Sequence, residues 1–139
     1  MVSVLVLTHG NLAVELLDAA RTIDPHLGGE TEAIALPWDV DSEDASKSLK
    51  DRLRELDQGG GVLVLTDMFG GTATNLALQF LEPDRIEIVT GVNLPMLIKL
   101  GSLRGQDLPL HELAVRLTTA GQKSIRVASE FLRSKRQAG

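Results

Sequence analysis

Two apolar runs constrain the fold of this 139-residue chain more than any other feature. The run Val2, Val4, Leu5, Val6, Leu7, broken only by Ser3, leads into Thr8-His9-Gly10-Asn11. The run Val62-Leu63-Val64-Leu65 leads into Thr66-Asp67-Met68-Phe69-Gly70-Gly71. A strand with water on one face alternates apolar and polar residues, whereas a strand covered on both faces is apolar throughout. Both runs therefore read as buried parallel strands, each followed by a turn and an amphipathic stretch. The carboxyl ends of such strands are where open α/β sheets place ligands. His9 and Asp67 stand at those two ends.

The rest of the chain supplies alternating elements. Residues 2–8 predict the first strand and 12–23 the first helix, with Leu12, Leu16, Ala19, Ala20 and Ile23 on its inward face and Pro25 and Gly28-Gly29 as its stop. Residues 32–36 predict a short second strand, and Asp41 or Ser42 a cap for a helix to about Leu56 with Leu49, Leu53 and Leu56 inward. Residues 62–66 are the third strand. A helix follows over 72–81 with Leu76, Ala77, Phe80 and Leu81 inward, then a fourth strand over 85–90. Asn93-Leu94-Pro95 opens a helix through Leu100, and 110–123 a longer one. Ser124 to Arg133 suits two states: Ser124–Ala128 alternates like a strand, while Val127, Phe131 and Leu132 suit a helix. Strands alternating with helices give an α/β doubly wound domain, a mainly parallel sheet with helices on both faces. It spans residues 1–133, and the polar residues 134–139 are expected to fray.

Bulk properties narrow the function. With 43% hydrophobic and 24% charged residues the chain has the composition of a globular domain. A net charge of −5 argues against a general nucleic-acid binder, though a local site can still take an anion. No cysteine means no disulfide framework and no thiolate chemistry. Neither a secretory leader nor a run of about 20 apolar residues is present, so a cytoplasmic location is expected.

The candidate chemistry starts from His9. Alone, a strand-end histidine serves a structural turn as readily as proton transfer, metal binding or phosphoryl transfer. Gly10 and Asn11 offer a tight turn with N–H groups suited to an anion. Asp67, if the first and third strands are neighbours, can hold one ring nitrogen and leave the other as a nucleophile; alone it reads equally as a turn aspartate. Gly70, Gly71 and Thr72 can turn N–H groups and a hydroxyl toward phosphate, although Gly-Gly is also common punctuation. The loop is no P-loop and no GxGxxG fingerprint, so no cofactor is implied. Without paired histidines at ligand spacing, no metal is implied either; His26 and His111 read as solvated. Met68 and Phe69 either pack under the loop or form a docking surface. Asn93 reads as a helix cap near the same sheet edge.

THGNLAVELLDAA, LTDMFGGTATNLA and VTGVNLPML resemble, in order and spacing, the mannose-type EIIA domains of the bacterial phosphoenolpyruvate:sugar phosphotransferase system. The likeness is weakest over 25–58 and after about 103. It implies a phosphotransferase component, a phosphoryl carrier for carbohydrate uptake: His9 takes the group from phospho-HPr and passes it to an EIIB subunit. It further implies that Asp67 holds Nδ1–H so that Nε2 is phosphorylated, with the Gly10, Gly70, Gly71 and Thr72 region near phosphate. A fifth, antiparallel strand near the C-terminus, exchanged across a homodimer, is also implied, which favours the strand reading of Ser124–Ala128. Met68-Phe69 and Ala73 depart from a common Thr-Trp pair and proline in that family. With no linker or fused EIIB domain in the sequence, a free-standing subunit is expected, tied to the membrane only through permease subunits. Two related readings remain: a regulatory module governed by phosphorylation of His9, and the carrier subunit of phosphoenolpyruvate-dependent dihydroxyacetone kinase.

Overall fold

The computed structural model describes residues 1–28 and 30–138; Gly29, named above as part of a helix stop, and Gly139 of the tail lie outside the described residues. The apolar runs form adjacent parallel strands, β1 (Ser3–His9) and β3 (Val62–Thr66). β2 (Thr31–Leu36) and β4 (Ile86–Thr90) flank them, in the order β2-β1-β3-β4, all parallel. The helices are α1 (Leu12–Ile23), α2 (Ser42–Leu56), α3 (Thr72–Leu78), α4 (Leu94–Leu103), α5 (Leu110–Lys123) and α6 (Ala128–Ala138).

The absence of alternation in β1 and β3 has its cause in two cores, one on each face. Val4, Val6, Leu63 and Leu65 pack with α1, α4 and α5 through Leu17, Leu97, Leu100 and Leu117. Leu5, Leu7, Val62 and Val64 pack on the other side with α2 and α3 through Leu49, Leu53 and Leu76. Residues 4–7 and 62–65 are thus apolar whichever way they point.

Three expectations about faces and ends need correction. α1 buries Ala13, Leu17 and Ala20, with Leu16 partly covered, while Leu12 and Ile23 stay exposed. At its start Thr8 Oγ1 accepts the Ala13 N–H at 2.7 Å, while Asn11 makes no side-chain cap. α3 ends at Leu78 rather than 81, leaving Leu81 exposed. There the Phe80 and Leu81 N–H groups turn to carbonyls three residues back, ahead of Pro83, which disfavours helix in the residue before it. α4 continues past Leu100 to Leu103.

The C-terminal region needs a fourth correction. The described residues form four strands, and Ser124–Ala128 supplies no fifth antiparallel one. Residues 125–127 are irregular, and α6 runs on through the stretch expected to fray from residue 134. The side chains favour the helix locally. Arg126 and Lys135 lie over the Phe131 ring at 4.3 and 4.9 Å, the latter an i,i+4 pairing available only in a helix. Lys135 and Arg136 also face the negative end of the helix dipole.

At the opposite edge from the candidate site, Arg104 ties the fold together. Its guanidinium donates to the Val2 carbonyl at 2.6 Å, Thr31 Oγ1 at 2.7 Å and the Leu27 carbonyl at 3.3 Å. Burial lowers its pKa against the attraction of Glu30.

Candidate functional site

β1 and β3 are paired so that Leu7 sits opposite Thr66, which brings His9, two residues on, and Asp67, one residue on, together at the carboxyl edge. Nδ1 of His9 lies 2.8 Å from Asp67 Oδ2, and the same oxygen accepts the His9 backbone N–H at 3.1 Å. Oδ1 accepts the Met68 N–H at 3.0 Å. Both side chains are mostly covered, at 18% and 13% exposure. Burial pushes the Asp67 carboxyl up, but the hydrogen bonds from the His9 ring and backbone, its charge and the Met68 N–H outweigh this. The carboxyl is held below the usual carboxylate range. A carboxylate there fixes the ring proton on Nδ1, so the neutral ring presents the lone pair of Nε2. Among the described residues Nε2 has no hydrogen-bond partner.

The loop after Asp67 is held from beneath by two buried threonines. Thr74 Oγ1 donates to the Met68 carbonyl at 2.5 Å and, having used its proton, accepts from Thr66 Oγ1 at 2.7 Å. Gly71, at φ −83°, precedes α3, and a Cβ added to it would lie 2.9 Å from Cε1 of His9. Glycine is therefore required there by the imidazole, not by backbone strain. Thr72 is the first residue of α3, whose initial N–H groups have no intrahelical acceptors. Gly70 has φ +82° and open space around it.

Gly10 departs from its expected part. Its N–H donates to the Leu36 carbonyl at 2.8 Å and is already used within the sheet edge. At φ +54° it instead makes room for Trp38, whose Nε1 would lie 3.2 Å from an added Cβ. Trp38 stacks on His9 with ring centroids 5.4 Å apart and planes 18° from parallel. Sequence reasoning missed this residue. The available signal was its place just after Pro37, at the carboxyl end of the strand beside β1.

Met68 and Phe69 are 57% and 75% exposed, so they rim the site rather than pack beneath its loop. Asn93 caps α4 as expected, accepting the Met96 N–H at 3.0 Å, and its amide reaches the Gly121 carbonyl at 3.4 Å. His26 and His111 lie far into solvent beside Asp24 and Glu87. Among the described residues no cluster of three His, Cys, Asp or Glu side chains could hold a metal ion, and no helix is long and apolar enough to cross a membrane.

Residues 3–117 match the EIIA-man family model, described as PTS system fructose IIA component. The PTS system fructose-specific EIIA component of Bacillus subtilis (strain 168) is 33% identical over 135 residues, covering 95% of this chain and 90% of that protein. The PTS system mannose-specific EIIAB component of Escherichia coli (strain K12) is 30% identical over 129 residues, 90% of this chain but 39% of that longer protein. Among solved structures, the PTS IIA protein associated with the fucose utilization operon from Streptococcus pneumoniae superposes with a TM-score of 0.81 at 30% identity, covering 94% of this chain and 96% of that one. The phosphotransferase system component EIIA from Streptococcus agalactiae gives 0.80 at 26%, covering 94% and 99%. The chain belongs to the EIIA-man family, the mannose-type IIA components of the sugar phosphotransferase system.

Proposed function

We propose that this chain is a phosphoryl carrier that accepts the group on Nε2 of His9 from phospho-HPr and passes it to a separate EIIB subunit in carbohydrate uptake. The observation that carries the reading is the 2.8 Å contact of Nδ1 with Asp67, which leaves Nε2 as the free nucleophile. Family membership supports the phosphotransferase role in general terms.

The chemistry follows from that contact. The Nε2 lone pair attacks phosphorus in line, the donor's N–P bond breaks, and the donor nitrogen keeps the bonding pair. The His9 ring gains positive charge as its own N–P bond forms, while the Nδ1 proton stays against the Asp67 carboxylate. A fixed carboxylate at that position offsets the charge without reorganising, and holding the ring in line supplies most of the remaining advantage. The N–H groups at the start of α3, in the Gly70-Gly71-Thr72 segment, are suited to the phosphoryl oxygens. Exposed Met68 and Phe69 support docking of protein partners rather than capture of a free sugar. The position of β4 at the end of the sheet and, separately, the exposed apolar side chains of Ile125, Val127 and Leu132 support association of two copies.

The test is reconstitution with phosphoenolpyruvate, enzyme I and HPr, using the wild-type chain and His9→Ala. Acid-labile, base-stable phosphate should form on the wild type alone. Label of the same kind on His9→Ala would mean another residue is the acceptor.

A further inference from the structure

We propose that Trp38 is a positioning residue for phosphoryl transfer: its indole covers one face of the His9 ring and disperses the charge that the ring takes on when Nε2 binds phosphorus. This rests on the carrier reading above and adds a residue to it.

The placement is specific. Trp38 follows β2, and Leu36 at the end of β2 is the register partner of His9. The two rings lie near parallel at 18°, with centroids 5.4 Å apart. Gly10 lies under the same indole, and a Cβ there would come within 3.2 Å of it. The imidazole is therefore bounded by Asp67 at Nδ1, by Gly71 at Cε1 and by Trp38 over a face. Yet Trp38 is 80% exposed, so core packing does not explain its presence. A large apolar ring left in water is accounted for by what it touches.

What it touches changes charge in the reaction. Before transfer the imidazole is neutral, with its proton on Nδ1. Once the Nε2 lone pair becomes the N–P bond, and the donor nitrogen takes back its own pair, the His9 ring is a planar cation. The face of an aromatic ring attracts such a cation through its quadrupole, and indole does so best. The contact is thus stronger after the ring becomes charged than before, the condition for an effect on rate rather than on binding alone.

The experiment measures steady-state transfer from phospho-HPr to the wild type, Trp38→Ala and Trp38→Phe. Trp38→Ala should lower kcat by roughly 2- to 30-fold, the span of an aromatic–cation contact from exposed to desolvated, with KM for phospho-HPr little changed. Trp38→Phe should recover most of the loss. A raised KM with kcat intact would assign the indole to docking and overturn the proposal. Equal kcat in all three proteins would overturn it as well. A fold defect is read separately by thermal unfolding, which an exposed side chain should hardly move. Trp38 is the sole tryptophan, so its emission also reports the stack. Wild-type emission should differ from that of His9→Ala and change again on phosphorylation; identical spectra would refute the contact. A wild type that takes no phosphate would sink the carrier reading, a result distinct from one in which wild type and Trp38→Ala are phosphorylated at the same rate.

Discussion

Replacing Gly71 by alanine tests the site more sharply than removing either of its charged members. The backbone at φ −83°, ψ 168° accepts an L side chain, so the substitution meets no dihedral penalty. What it meets is the imidazole: the new Cβ would lie 2.9 Å from Cε1 of His9 and 3.2 Å from Cγ of Met68. Two carbons settle at about 3.5–4.0 Å. Met68 is exposed and can swing aside. His9 cannot retreat so freely, because Asp67 and Trp38 bound it on other sides. Relief of the clash needs a ring displacement of roughly 0.6–1.1 Å, the difference between 2.9 Å and that optimum. A shift of that size exceeds the roughly 0.4 Å between the 2.8 Å contact with Asp67 and the ~3.2 Å limit of a good hydrogen bond, so the ring cannot move by that much and keep its alignment. A misplacement near 1 Å lowers a transfer rate by up to about 100-fold, so we expect a loss of roughly 10- to 100-fold, or about 1.4–2.7 kcal/mol in barrier. Stability should fall by about 1–3 kcal/mol at most, as for modest overpacking. Rapid-quench measurement of phosphate uptake from phospho-HPr, paired with observation of the Nδ1 proton by NMR, reads both effects. A folded Gly71→Ala protein that takes phosphate at the wild-type rate would refute the constraint.

Two further outcomes follow from the same structure. Thr74→Val removes the donor to the Met68 carbonyl and the acceptor for Thr66, so it should destabilise the chain by about 1–3 kcal/mol in denaturant titration and slow transfer by loosening the loop after Asp67. For Asp57, burial raises the carboxyl but is outweighed by the Gly59 and Gly61 N–H bonds and by Arg85, leaving it below its ordinary value. The unfolded chain then binds more protons in the window between the folded value and about pH 4, so this stabilisation is complete above that window and is lost as pH falls through it. Asp57→Asn should accordingly lower stability at pH 7 and flatten its acid dependence below about pH 4, as followed by chemical denaturation.

Legibility in the sequence tracked how local the determining physics was. β3 and α1 lie where periodicity puts them, because burial on two faces or on one stripe leaves a repeated signature. The inward line of α1 runs through Ala13, Leu17 and Ala20 rather than Leu12 and Ile23, and the Ala13 N–H bond to Thr8, a contact outside the helix, leaves no trace in its periodicity. Residues 124–133 fit two states, and pairing of Phe131 with Arg126 and Lys135 favours the helix. At the site, His9 and Asp67 were readable as strand ends facing one ligand edge. Trp38 was not, since its part depends on a ring contact across two strands and on the space left by Gly10, neither of which has a periodic trace.

Topology explains why the pairing that carries the chemistry joins residues 58 positions apart. In the order β2-β1-β3-β4 the chain leaves β1 toward one edge and returns through β3 toward the other. The connection from β1 to β2 runs through α1 on one face of the sheet, and that from β3 to β4 through α3 on the opposite face. The two loops therefore diverge from neighbouring strand ends, which is the condition that opens a crevice in a doubly wound sheet. At that reversal, consecutive residues of either strand end are brought side by side without any loop having to fold back. His9 and Asp67, each just past a buried threonine (Thr8 and Thr66) at the end of its run, meet there. Their geometry is fixed by strand register rather than by flexible loops. A one-residue slip of β1 against β3 would separate them. The packing that stabilises the sheet thus also holds the imidazole to its carboxylate.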